Sequence, residues 1–408
     1  MKTIKAKRDP LFHITRRQDI TLLRKWIIRV SAIICGFILC ALISSGIGGS
    51  FVDFFVKGFD ACFVNLRTGG LNPNKLVSLL ENAGILILFA IAVIPAFKMK
   101  FWNIGGEGQV AISILTCCIL QKYLGGALPI AVNASYRALY FIIIILAGIL
   151  AGAVWGVIPA IFKAKFKTNE TLFTLMMNYV AIILILVVKA KWDPTGTGIQ
   201  PLTEEYYLPA IAGHNEIINL IIIPIVFALV FIYLKFTKHG YEISVVGGST
   251  NTARYIGLSV KKTIIRTMVV SGAICGLCGV LLVLGEHNQL SETITAGRGF
   301  TGVMIAWLGG FGPVEVILYC FLGAFLIKGG SMINYNQAFP DLMLSIFFFV
   351  LIACEFFVAY ELHCDKLSRF IRKKFPKLFK KKVETVVEKP TNINDLQDAP
   401  VEKKGGKL

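Results

Sequence analysis

Charge is scarce in this sequence. Asp, Glu, Lys and Arg make up only 16% of its 408 residues, whereas 55% are apolar. That balance excludes a water-soluble chain, and a mean hydropathy of +0.70 agrees. Catalytic motifs are missing too: the sequence has no HExxH, no paired Asp within its apolar runs and only 5 His, which argues against an intramembrane enzyme. It contains no GxxxxGK[ST], so it has no P-loop for ATP, and any ATP-driven activity must borrow its motor. Ten cysteines are present, but Cys35, Cys40, Cys117, Cys118, Cys275, Cys278, Cys320 and Cys354 lie inside apolar segments, where thiols act as small hydrophobes rather than disulfide partners. The Cys275–Cys278 spacing has no His or second pair beside it, so no metal site is expected there. Gly297-Arg298-Gly299-Phe300-Thr301-Gly302 fits a dinucleotide pattern literally, but no strand or soluble βαβ unit surrounds it.

The sequence is rich in long apolar runs. A helix needs ~20 apolar residues to cross a bilayer, and candidate spans fall at 26–46, 76–97, 104–121, 138–160, 171–189, 216–235, 264–285, 299–311, 314–331 and 341–361. The expected fold is an all-α polytopic membrane protein of about ten spans, some broken or half-length. The weakest are 104–121, which opens on glycines and polar residues, and 299–311, which is short.

The net charge of +18 comes from cations between and beyond the apolar runs, which points to membrane topology and away from nucleic acid. With the N-terminus inside, residues 1–29, 98–100, 163–167, 235–266 and 366–408 hold 9, 2, 3, 6 and 13 Lys or Arg, so 33 of the 42 are cytoplasmic. An odd number of crossings would put the 13-cation tail outside, so both termini are expected in the cytoplasm. The first run, Trp26 to Ser45, is too long for a signal peptide and reads as a retained anchor. The expected organisation is a basic N-terminal segment 1–25, a transmembrane domain 26–361 containing a cytoplasmic loop 237–262, and a basic tail 362–408. That tail begins as an amphipathic stretch suited to anionic lipid, with Leu367, Phe370 and Ile371 among Arg369, Arg372 and Lys373. Residues 383–408 read as disordered.

Three segments break the apolar pattern. In Asn103-Ile104-Gly105-Gly106-Glu107-Gly108-Gln109, glycines permit a backbone break, and Asn103, Glu107 and Gln109 must face protein or water. The segment is either an interfacial cap or a path-lining or packing element. In Thr168-Asn169-Glu170-Thr171, Thr168 or Asn169 can cap the fifth span and Glu170 suits its first turn. Asn178, two turns deeper, needs a partner or a wet cavity. In the 237–262 loop, Ser249 can cap a helix over 250–256 and Gly257 can end it, with Ala253, Arg254, Tyr255 and Ile256 placed to dock in a groove. Ser271, Gly272, Gly276 and Gly279 have the spacing of a close helix–helix contact.

These residues have a combined resemblance. Asn103 to Gln109, Asn169-Glu170, Met177-Asn178-Tyr179, Gly240-Tyr241 through Ala253 to Gly257, Ser271-Gly272-Ala273 and Gly297 to Phe300 resemble, in that order, the permease subunits of bacterial ABC importers for nucleosides, within the branched-chain amino acid and ribose permease superfamily. The resemblance spans about 75 to 331. It implies a multi-pass subunit of the cytoplasmic membrane without cofactor, partnered by ABC ATPase subunits, a second related permease and an extracytoplasmic substrate-binding lipoprotein. It also implies that Ser249, Ala253, Arg254, Tyr255 and Gly257 belong to a coupling helix at 249–257, and that Asn103, Glu107, Gln109 and Asn178 line or support the path. Met304, Trp307, Phe311 and Glu315 replace the small, leucine-rich stretch usual there, which leaves the substrate open between a nucleoside and ribose or another polar solute. A secondary transporter is the rival class; for its ion site, Glu107 and Glu355 are the candidates away from span ends.

Overall fold

The computed structural model describes residues 13–17, 20–47, 49–65, 70–127, 134–192, 208, 217–287, 294–333 and 338–363. The basic amphipathic stretch and the polar tail anticipated after residue 365 lie outside the described residues. Contacts divide the chain into two units, residues 26–355 and residues 1–25 with 356–408.

The helices run in the order α1 (Leu22–Gly46), α2 (Phe51–Cys62), α3 (Pro73–Lys98), α4 (Gly106–Ala127), α5 (Ala134–Phe166), α6 (Glu170–Trp192), α7 (Ile217–Phe236), α8 (Lys238–Gly248), α9 (Thr250–Tyr255), α10 (Val260–Leu281), α11 (Arg298–Leu308), α12 (Pro313–Ile333) and α13 (Ala338–Ala359). Strand β1 (His13–Arg16) precedes α1, the two-residue strands β2 (Val64–Asn65) and β3 (Gly70–Leu71) form a hairpin before α3, and β4 (Tyr360–His363) follows α13.

Among the described residues, eight helices are long and apolar enough to cross a membrane: α1, α3, α5, α6, α7, α10, α12 and α13. The two left over from the ten expected spans are those with the weakest sequences. Helix α4 has sufficient length but polar residues in its opening turns. Helix α11 has 11 residues, a rise of about 16 Å at 1.5 Å per residue against a hydrocarbon core of about 30 Å. It leans along α3 and α12 instead. Helix α2, which hydropathy alone did not separate from its surroundings, is a 12-residue amphipathic piece packed on α12.

Local sequence explains the boundaries. Asn72 caps α3, its side chain accepting from the Asn74 N–H at 3.0 Å, and Pro73 occupies the first turn, where no N–H is missed. At the start of α6 the cap is Asn169, which accepts from the Thr171 and Leu172 N–H groups at 3.0 and 3.3 Å. Glu170 does sit in the first turn, and its carboxylate takes a 2.5 Å bond from Lys163.

Helices α3 and α10 are the buried axis, whereas α5, α6, α7 and α13 keep apolar faces outward, as lipid requires. Helix α10 packs most extensively on α5. The glycines anticipated at 272 and 276 meet Gly148 and Gly152 of α5: a methyl group on Gly276 would come 2.5 Å from the Gly148 carbonyl, and one on Gly152 2.4 Å from the Gly272 carbonyl. Only residues without side chains allow this approach.

In the smaller unit, β1 and β4 pair antiparallel with His13 opposite His363 and Arg16 opposite Tyr360. Arg17 reaches Glu361 at 3.2 Å. The segment before α1 and the segment after α13 therefore lie together in this unit.

Candidate functional site

The chain turns from α3 to α4 inside the protein. Asn103 is fully buried; its amide donates to Ser271 Oγ of α10 at 3.1 Å, and its Oδ1 accepts from the Gly105 N–H at 3.0 Å. Gln109 donates to the same oxygen at 3.4 Å, and its own Oε1 has no partner among the described residues. From α6, Asn178 clamps the turn at two points. Its Oδ1 accepts from the Gly108 N–H at 2.8 Å, and its Nδ2 donates to the Ile104 carbonyl at 2.9 Å. Thr174, one turn earlier, accepts from the Ile104 N–H at 3.2 Å. The turn thus finds in α6 and α10 the partners that water would otherwise supply.

Glu107 reaches across to the start of α11. Its carboxylate accepts from the Gly297 N–H at 3.1 Å and the Gly299 N–H at 2.6 Å, with the Thr295 hydroxyl as a further donor. A helix begins with unpaired N–H groups and a positive dipole end, and here a buried carboxylate of another helix satisfies both needs. Gly299 is required for this, since a methyl group there would meet the Glu107 carboxylate at 2.4 Å.

Asn103, Glu107, Gln109 and Asn178 are therefore brought together around one buried turn, each no more than 3% exposed. Their observed partners are protein groups of α6, α10 and α11. Sequence reasoning missed those partners. Ser271 and Gly297–Gly299 lay within segments already singled out, but nothing in the sequence marked Thr174 or Thr295.

In the 237–262 loop, α9 occupies Thr250–Tyr255, and Ser249 caps it by accepting from the Thr252 N–H at 3.2 Å. Gly257 has φ +81°, the left-handed conformation expected after a helix end. Ala253 is buried, while Arg254, Ile256 and Tyr255 point outward, Tyr255 being 91% exposed. Helix α8 precedes α9, within the stretch expected to be loop. Its Gly247 lies so close to the end of α3 that a methyl group would sit 1.9 Å from the Lys98 carbonyl. The outward tip of the loop is thereby joined to the central helix. Ser249→Ala removes the cap, at a cost of ~1 kcal/mol, and faster amide hydrogen exchange confined to 250–256 is the expected readout.

The intramembrane carboxylates are engaged. Glu355 of α13 accepts from Arg29 of α1 at 2.6 Å, and Glu81 of α3 accepts from Asn219 of α7 at 3.0 Å. With Glu107 held by α11, both residues named as candidates for a coupling-ion site are committed to the protein's own donors.

Residues 75–354 match the family described as branched-chain amino acid transport system / permease component. The nucleoside ABC transporter permease protein NupB of Lactococcus lactis subsp. cremoris is 27% identical over 352 residues, which cover 83% of this chain and 92% of NupB. The guanosine ABC transporter permease protein NupP of Bacillus subtilis is 32% identical over 260 residues, covering 60% of this chain and 71% of NupP. The glucose ABC transporter permease protein TsgB13 of Haloferax volcanii is 29% identical over 345 residues, covering 79% and 88%.

Proposed function

Because this chain belongs to the branched-chain amino acid transport system permease family, we infer that it is the membrane-spanning permease subunit of an ABC importer for nucleosides. It is a multi-pass protein of the cytoplasmic membrane. ATP hydrolysis falls to a separate ATPase subunit, and a substrate-binding protein delivers the cargo. The finer assembly in this reading pairs the chain with a second, related permease, and the binding protein is a lipoprotein. Similarity to NupB across almost the whole of that protein is the observation that carries the nucleoside assignment.

The geometry supports the same reading. Broken helices in transporters commonly aim a positive N-terminus at an anionic cargo. Here Glu107 fills that position on α11, which suits an uncharged cargo such as a nucleoside. The ion pair Arg29–Glu355 and the capped Glu107 leave ion-gradient coupling without a free carboxylate of the two it would use. Energy enters instead at α9: the ATPase grips Arg254, Tyr255 and Ile256, and the contact of Gly247 with the end of α3 carries the movement into the buried axis. Access then alternates as the motor's two states favour different helix arrangements. Asn103, Glu107, Gln109 and Asn178 support the path by fixing the α3–α4 turn.

Arg254→Glu reverses a charge on the exposed tip and is expected to lower nucleoside uptake at least tenfold, about 1.4 kcal/mol of lost coupling, with membrane insertion intact. Normal uptake by that variant rejects the coupling role. The assignment of cargo is tested by uptake of labelled nucleosides and ribose into cells with and without this chain. Nucleoside uptake that depends on the chain is expected; uptake of ribose alone overturns the reading.

A further inference from the structure

The contacts described so far leave one polar face of α3 unused. Ser78 and Asn82 lie four residues apart on that helix, hence one above the other on the same face. Asn82 Nδ2 donates to the Ser78 carbonyl at 2.8 Å, and Asn82 Oδ1 accepts from Arg298 Nη2 of α11 at 3.3 Å. Lys328 of α12 donates to Ser78 Oγ. Three helices thus contribute two cations, an amide and a hydroxyl to one connected row.

Its position in the membrane follows from topology. With both termini cytoplasmic, α3 begins and α12 ends on the extracytoplasmic side. Ser78 and Asn82 lie within the first ten residues of α3, and Lys328 within the last six of α12. Ser78, Arg298 and Lys328 are only half-buried, so the row meets accessible space, while Asn82 is buried at its inner end. Cations within membrane spans are costly and mark pathways by default.

We propose that Ser78, Asn82, Arg298 and Lys328 form an extracytoplasmic port that receives the nucleoside by its base, with the buried Asn82 positioning the Arg298 guanidinium; the inference rests on the function assigned above. Lys and Arg offer donors and no acceptor, whereas an Asn amide offers both. The row therefore presents an excess of donors, which matches a base edge bearing neighbouring acceptors. The N7 and O6 atoms of a 6-oxopurine are such an edge, and Arg or Lys against them is the commonest base contact elsewhere. A pyrimidine lacks the pair. The port thus favours a 6-oxopurine nucleoside over uridine.

The test uses cells carrying the complete transporter and measures uptake kinetics of labelled guanosine, adenosine and uridine, with membrane abundance followed for each variant. Wild type is expected to prefer guanosine. Asn82→Ala and Lys328→Met are expected to raise the KM for guanosine at least tenfold and to erase its preference over uridine, while Lys328→Arg retains it. Ser78→Ala, a small change at a half-buried site, covers the case in which the larger changes fail to insert, and is expected to move the same KM. An unchanged preference, or an equal fall for all three nucleosides, assigns these residues a structural role and overturns the inference alone. No nucleoside uptake by wild type overturns the functional reading and the port with it.

Discussion

Glu107→Ala is expected to reduce nucleoside uptake on the order of 100-fold per transporter in the membrane. The substitution leaves the part-buried Gly297 N–H and the buried Gly299 N–H without their acceptor, and each unsatisfied group costs about 1–3 kcal/mol when fully buried. Two such losses come to about 2–6 kcal/mol, a range that spans the ~2.8 kcal/mol of a hundredfold population difference, so α11 is weakened in its place against α3. Glu107→Gln keeps one side-chain acceptor oxygen and should retain an intermediate rate. The measurement is initial uptake normalised to membrane abundance; an alanine variant transporting at the wild-type rate would show that the α11 cap is dispensable.

Gly276→Leu should remove the protein altogether from the folded, detergent-soluble fraction. Backbone of α5 stands where the new side chain must go, with the Gly148 carbonyl at 2.5 Å and Ile149 Cα at 2.8 Å from the first added carbon. Rigid backbone cannot yield as a flexible side chain does, so the pair must separate along its length. Overpacking typically costs 1–3 kcal/mol even where side chains give way, and the loss here is larger because membrane helices rely on close approach for association. The milder Gly276→Ala is expected to melt about 10 °C lower in detergent, at 2–4 °C per kcal/mol. Gly248→Leu is the control, since nothing lies within 4 Å of its new carbon, and it should melt with the wild type.

The sequence announced the bundle and its close-packed glycines because each rests on a local signal: apolar length, or spacing on one helix. It also announced the cap of α9 and the turn after it, since Ser249 and Gly257 act within a few residues. Other features escaped because they depend on partners distant in the chain. Glu107 could be marked as out of place in an apolar run, but its acceptor role at α11 is a relation across 190 residues. Ser78 and Asn82 near the start of a span look like ordinary interfacial residues until Arg298 and Lys328 are seen beside them. Helix α11 was named as a weak span because it is too short, and only its packing along α3 explains how a short helix survives at that depth. Helix α8 was passed over because its apolar residues are few and its burial comes from α3, α7 and α10.

The pairing of β1 with β4 sets a timetable for assembly. His13 must wait for His363, a separation so large that its closure cannot help the chain begin to fold. Every helix has to be made, and α13 inserted, before the two strands meet. The small sheet thus closes last and distinguishes a finished molecule from one stalled partway. A chain halted after α12 leaves β1 with an open edge on the cytoplasmic side, a site where unpaired backbone invites capture by other chains.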